Sequence, residues 1–186
     1  MIEKQEMDKA VAVLRSGGVI LCPSDTIASL SCDACNATAI LKIFDIKQRP
    51  PQKSMIMLVS SITMLEAYVA HIPEAAYQII EVSDTPTTIV YPNPRNLPKE
   101  LLAEDGSLGI RVVNIGFIKS IIDRFRKPIV STSANLSGKP APIRVSETEL
   151  LISQSVDMVI DLDEFLTKPS SIIKFNSDDS FRIIRK

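Results

Sequence analysis

The sequence predicts a single α/β domain, residues 1–186, built on a twisted, mixed sheet with helices packed against it. Three observations carry that expectation. Stripes of helical period alternate with short apolar runs of strand length along the whole chain. No low-complexity segment, internal repeat or long Pro/Gly-rich linker divides it. Helices spread among so many strands suit one sheet covered by helices better than separate all-α and all-β units.

The elements follow in order. Met7, Ala10, Val11 and Leu14 mark one face of a first helix, which Gly17-Gly18 should cap. Val19–Cys22 reads as a buried strand ending in Pro23-Ser24-Asp25-Thr26. Ala37, Ile40, Leu41 and Phe44 form a second helical stripe, which the prolines of Lys47-Gln48-Arg49-Pro50-Pro51 bring to an end. Met55–Val59 is a strand, followed by two short helices around Leu65, Tyr68 and Val69 and around Ala76, Ile79 and Ile80, the second opened by Pro73. Strands are expected at Thr87–Tyr91, Leu108–Val112, Pro128–Ser131, Val156–Ile160, Ile172–Phe175 and Phe181–Ile184, with a helix through Ile118, Ile121, Ile122 and Phe125.

Composition excludes several classes. Hydrophobic residues are 45% and charged residues 23% of the chain, and 21 basic residues against 22 acidic ones leave a net charge of -1. That balance gives no global argument for nucleic-acid or membrane binding. No apolar run approaches the ~20 residues of a membrane span, and the charged N-terminus is unlike a signal peptide, so a cytoplasmic protein is expected. Cys22, Cys32 and Cys35 are too few for a disulfide framework. Cys32-x-x-Cys35 reads as a redox pair or half a zinc site, or as small residues leading into a helix; the last is favoured, because His71 is the only histidine and no second Cys pair exists. One histidine also argues against a His-dependent triad, and Ala70-His71-Ile72-Pro73 looks like a loop.

Three polar clusters interrupt the pattern. Pro23-Ser24-Asp25-Thr26 follows a buried strand; its hydroxyls and carboxylate suit the ammonium and hydroxyl of a small polar ligand, or form an ordinary cap or Asx-turn. Lys47-Gln48-Arg49, with Lys53 behind it, suits phosphate neutralisation, or is a solvated basic turn at a helix end. Ser131-Thr132-Ser133-Ala134-Asn135-Leu136-Ser137-Gly138 is dense in donors and suits phosphate oxygens or a purine edge, or is a capped turn; it lacks the Gly-Lys-Ser/Thr of a Walker loop.

In this order the segments resemble the YrdC/TsaC family of threonylcarbamoyl-AMP synthases. Gly17 to Leu30 is similar to that family's Gly-Gly-hydrophobic strand and Pro-Thr-Asp-Thr-Val-Tyr-Gly-Leu; Lys47-Gln48-Arg49-Pro50 matches Lys-x-Arg-Pro; Ser133-Ala134-Asn135 matches Ser-x-Asn. Weaker echoes are Thr88, Gly109 to Val112, Ser170 to Ile173 and Ile184-Arg185. The resemblance implies a YrdC-like fold with a concave nucleotide-binding face. It also implies a nucleotidyltransferase joining L-threonine, bicarbonate and ATP, with Mg2+ accompanying ATP, to form threonylcarbamoyl-AMP and pyrophosphate for a downstream tRNA threonylcarbamoyltransferase. Lys47, Arg49, Ser133 and Asn135 would then surround the phosphates and the reacting carbamate. Arg49, Lys53, Thr88, Ser131, Ser133 and Arg185 would line the ATP side, and Thr26, Arg111 and Ser170 would contact threonine, Arg111 through its carboxylate. Ala28-Ser29 replaces the family's Tyr-Gly, Lys53-Ser54-Met55 its Lys-Pro-Leu, Leu58 a polar position and Asp84-Thr85-Pro86 its Pro-Gly-Pro; these departures are expected at the amino-acid pocket. Two rival readings stand beside this one. The first is a non-catalytic relative holding tRNA or double-stranded RNA on Lys42, Lys47, Arg49, Lys53, Lys139 and Arg144. The second is a carbamoyl-adenylate chemistry like that of hydrogenase-maturation carbamoyltransferases, whose zinc-finger and acylphosphatase-like segments are not found in this sequence.

Overall fold

A computed structural model describes residues 2–48, 55–162 and 168–186. The elements are α1 (Ile2–Arg15), β1 (Ile20–Pro23), β2 (Ala28–Asp33), α2 (Ala37–Ile46), β3 (Ile56–Val59), α3 (Ile62–Tyr68), α4 (Glu74–Val82), β4 (Thr87–Tyr91), β5 (Leu108–Val112), α5 (Gly116–Phe125), β6 (Ile129–Ser133), α6 (Leu150–Ser153), β7 (Met158–Val159), β8 (Ser171–Phe175) and β9 (Phe181–Arg185). The nine strands form one sheet in the order β7-β1-β2-β6-β3-β5-β4-β8-β9. It is mixed: β1/β7, β3/β5 and β4/β8 run parallel and the other neighbouring pairs antiparallel.

Side-chain alternation divides the core between the two faces of this sheet. Ile20, Cys22, Leu58 and Ile129 join Ala10, Val11 and Leu14 of α1 and Phe117, Ile118, Ile121 and Ile122 of α5. Their chain neighbours Leu21, Met57, Val59 and Val130 point the other way, to Ala39, Ile40, Ile43 and Phe44 of α2, Leu65 of α3 and Ala76 of α4. Fully burying one such aliphatic side chain is worth roughly 1.5–3 kcal/mol, so the two layers hold every strand that carries the site.

The helix ends follow local chemistry. Gly17 sits at φ 76°, and Gly17 and Gly18 donate to the carbonyls of Leu14 and Val13 at 3.1 and 2.9 Å, closing α1. The Asn36 side chain accepts from the Ala39 N–H at 3.1 Å and opens α2.

The expected elements are present, with one omission of consequence. Residues 28–33 form β2, a strand absent from the expected elements, and Cys32, expected only among small residues leading into the next helix, lies on it. The segment alternates Ala28, Leu30 and Cys32 with Ser29, Ser31 and Asp33, a period-2 pattern. Its polar members are buried too, so the usual apolar-in, polar-out contrast is missing. The Ser24–Ile27 segment is therefore the turn of a β1–β2 hairpin, not a helix cap.

Candidate active site

The hydroxyl-rich strand end is set beside β2 by register. Antiparallel pairing places Ser29 opposite Ser133 and Ser31 opposite Ser131, while β3 puts Ile56 across from Ser131. The result is a hydroxyl strip along one edge of a cavity of about 360 Å3. Thr26, Arg111, Ser131, Ser133, Ser170 and Arg185 all line it, together with Ser24, Ser29 and Thr132. Six residues singled out in the sequence, drawn from five stretches of chain, therefore meet in one hollow.

At one end, β5 carries Arg111 into the cavity wall. Its Nε–H and NH2 donate to the two carboxylate oxygens of Asp25 at 3.0 and 2.6 Å, and its NH1 donates to Thr88 Oγ1 at 3.2 Å. The Arg111 and Asp25 side chains are only 2% and 8% exposed. Thr88, buried on β4, also shares a hydrogen bond with Ser170 Oγ at 2.8 Å, and the carbonyl of Ser170 accepts from Arg185 Nε at 2.9 Å. Gly109 makes room for this network. A Cβ there would stand 3.1 Å from Thr88 Cγ2 and 3.2 Å from Ile56 Cγ2.

At the other end, the loop after β6 is tied to α2. Lys47, at the C-cap of α2, is buried, and its Nζ donates to the carbonyls of Ser133 and Asn135 and to Asn135 Oδ1, the latter two at 2.7 and 3.3 Å. The Lys47 carbonyl in turn accepts from the Ser137 N–H at 3.0 Å. Ser133 Oγ donates to Asn135 Oδ1, and Asn135 Nδ2 donates to the carbonyls of Leu136 and Lys139. Three of the four expected tetrad members thus contact one another, but the lysine ammonium grips the loop backbone and does not line the cavity. Arg49 and Lys53 lie outside the described residues.

Other expectations change. Asp25, read as a partner for a ligand ammonium, is engaged by Arg111. Leu58 is fully buried in the α1/α5 layer and is core, and Asp84-Thr85-Pro86 line a second cavity of about 320 Å3; neither touches the hydroxyl-lined hollow. Of the proposed basic face, Lys47 is buried, Lys42 donates to the Gly17 carbonyl and Lys139 pairs with Glu149. Cys32 and Cys35 are free thiols held above the ordinary range chiefly by burial, so both stay neutral, which does not suit redox chemistry. No group of three or more His, Cys, Asp or Glu among the described residues is arranged to hold a metal. His71 is an exposed loop residue with Nε2 at 2.8 and 3.0 Å from the Asp179 oxygens. No helix among the described residues is long and apolar enough to cross a membrane.

The family pattern described as "Telomere recombination", that of Sua5, YciO and YrdC, matches residues 12–186. The chain belongs to the Sua5/YciO/YrdC family. Family relatives include a threonylcarbamoyl-AMP synthase of Psychromonas ingrahamii, 32% identical over 87% of this chain and 87% of that protein. Another, from Pseudoalteromonas translucida, is 33% identical over 92% of this chain and 94% of that protein. The structure of P. abyssi Sua5 complexed with L-threonine superposes with a TM-score of 0.83 at 25% identity; it covers 92% of this chain, which spans about half of that protein (51%). Escherichia coli YciO shares the fold, with a TM-score of 0.81 at 22% identity over 98% of this chain and 89% of its own. With relatives so named, the hydroxyl-lined hollow belongs to a family of enzymes.

Proposed function

We propose that this chain is a nucleotidyltransferase that condenses L-threonine, bicarbonate and ATP into threonylcarbamoyl-AMP and pyrophosphate. The observation that carries the reading is the single cavity in which Thr26, Arg111 and Ser170 meet Ser131, Ser133 and Arg185. A volume of about 360 Å3 is within the range of small-molecule sites, roughly 300–1,000 Å3.

The chemistry asks for positioning and charge neutralisation more than for a nucleophilic side chain. Threonine's ammonium gives up a proton, and the free amine attacks the carbon of CO2, releasing a second proton, or of bicarbonate, releasing water, to give a carbamate. A carbamate oxygen then attacks the α-phosphorus of ATP, and the bond to the β-phosphate oxygen breaks as pyrophosphate leaves. Arg111, with Thr26 and Ser170 beside it, orients the amino-acid carboxylate. Ser131, Ser133 and Arg185 face the nucleotide, while Thr88, expected on that side, joins Arg111 to Ser170 on the amino-acid side; the family resemblance assigns Arg49 and Lys53 to the phosphates. Lys47 and Asn135 hold the Ser133 loop in shape, and Arg49 supplies the cation at the developing charge. Mg2+ would arrive on the triphosphate and share its charge. The donor set fits that, since the hydroxyls of Ser131 and Ser133 suit a hard ion held mainly by phosphates and water, and the described residues offer no cage of carboxylates.

The product would serve a downstream tRNA threonylcarbamoyltransferase, and a cytoplasmic location is part of this proposal. The test is pyrophosphate release by the purified protein with ATP, bicarbonate and threonine. Release that requires all three substrates supports the reading. Tight binding of tRNA or double-stranded RNA without release favours a non-catalytic relative instead.

A further inference from the structure

We infer that Asp25 is a positioning residue for the amino-acid substrate, acting through Arg111 to fix the two N–H groups that meet the substrate carboxylate. The inference deepens the function proposed above and rests on it. Asp25 does not line the substrate cavity; it borders the second hollow behind it, so the Asp25–Arg111 pair forms the wall between the two.

An arginine has five N–H donors in a rigid plane. Three are spent, two on the Asp25 oxygens and one on Thr88 Oγ1. The remaining two have no partner among the described residues, and Arg111 lines the cavity. Two coplanar donors are what a second carboxylate needs for a bidentate grip. The plane in which they lie is set by Asp25, because its side-on contact to Nε and NH2 removes rotation about the last side-chain bonds.

Asp25 is itself held firmly. It occupies the β1–β2 turn, where Ser24 Oγ accepts from the N–H groups of the two peptides that follow Asp25, Thr26 at 3.1 Å and Ile27 at 3.2 Å, donates to the Ile27 carbonyl at 2.7 Å and lies 2.9 Å from Thr26 Oγ1. The turn that delivers Thr26 to the cavity therefore also aims Asp25 at Arg111. A carboxylate that served only as counter-charge would act in the opposite sense. Its removal would leave Arg111 more positive and would strengthen attraction for a substrate carboxylate. Positioning and charge compensation thus differ in the sign of their effect.

The test uses Asp25→Asn and Asp25→Glu in the full chain, with steady-state constants for threonine and ATP and calorimetric threonine binding. Asn offers one acceptor and sets a second donor against the guanidinium. Its threonine KM and Kd are expected to rise about tenfold or more, with ATP KM within about twofold and kcat at saturating threonine within about threefold. Glu keeps the carboxylate but displaces it by one methylene, and a selective rise in threonine KM of about threefold is expected. Unchanged or tighter threonine binding in Asp25→Asn overturns the inference, as does an equal rise in the ATP KM. If Asp25→Asn does not fold, Asp25→Glu decides alone: a selective rise supports positioning, and an unchanged threonine constant rejects it. A wild-type protein that binds threonine without forming product removes the functional reading, while its calorimetric constants still judge Asp25.

Discussion

Replacing Lys47 by Met separates two roles that the sequence merges. The sequence pattern suggests a phosphate-binding lysine, whose loss would stop turnover and leave stability untouched. In the structure Lys47 is buried, and its ammonium donates to the carbonyls of Ser133 and Asn135 and to Asn135 Oδ1. Met fills most of the stem's volume but none of those bonds. A hydrogen bond from a charged donor is worth about 1.5–3 kcal/mol, and each buried acceptor left unsatisfied costs about 1–3 kcal/mol. Because the acceptors left behind are neutral and the loop can relax toward water, the loss is set at about 2–4 kcal/mol. Activity should fall as well, since an error near 1 Å in a positioned group costs about 100-fold. Urea unfolding followed by tryptophan-independent far-UV circular dichroism, with pyrophosphate release on the folded fraction, measures both. A Met variant with wild-type stability and no turnover would return the ammonium to the phosphates and refute the clamp.

Three further outcomes are expected. Arg49→Ala should leave unfolding unchanged while lowering kcat/KM at least about 100-fold, as for loss of a charge-stabilising donor; matched unfolding curves and initial rates check it. Gly109→Ala places a methyl 3.1 Å from Thr88 Cγ2, so the Thr88–Arg111 contact must shift and the threonine KM should rise about three- to tenfold, with a smaller change for ATP. Asp105 is held well below the usual carboxylate range, first by hydrogen bonds from Lys174 and Ser107. A depressed folded value means its contribution is complete above the unfolded value near 4 and is lost as pH falls toward the depressed one. Its side chain is 55% exposed, so solvent screening limits the stability gap between wild type and Asp105→Asn to about 1 kcal/mol or less at pH 7, narrowing below pH 4; melting temperatures across pH 2–8 reveal the trend.

The legible parts of this protein are those written locally. The apolar runs Ile20–Cys22, Met57–Val59 and Ile129–Val130 announce buried strands, and the stripe through Ile118, Ile121, Ile122 and Phe125 announces α5. Serines and threonines at strand ends mark where a ligand site forms, and Thr26, Ser131, Ser133 and Ser170 do gather around one cavity. Harder to read are facts that depend on distant pairing. Asp25 and Arg111 are 86 residues apart, and nothing local to either says that the carboxylate will meet the guanidinium. Lys47 looks solvated until the loop 86 residues onward wraps its ammonium. Strand β2 is faint in the sequence because its alternation of Ala28, Leu30 and Cys32 with Ser29, Ser31 and Asp33 is built mostly from small residues and holds no β-branched or aromatic side chain. Resemblance to the family motifs suggests an altered pocket position at Leu58 because a motif carries no information on which face of β3 a residue occupies; alternation with Met57 and Val59 sends it to the α1/α5 layer.

The most direct measurement is mass spectrometry of the adenylate formed from ATP, threonine and carbon-13 bicarbonate. A site that joins all three substrates gives a threonylcarbamoyl-adenylate heavier by one unit than the product from unlabelled bicarbonate. An adenylate carrying threonine without the labelled carbon, or no adenylate from a folded protein that binds ATP, contradicts it.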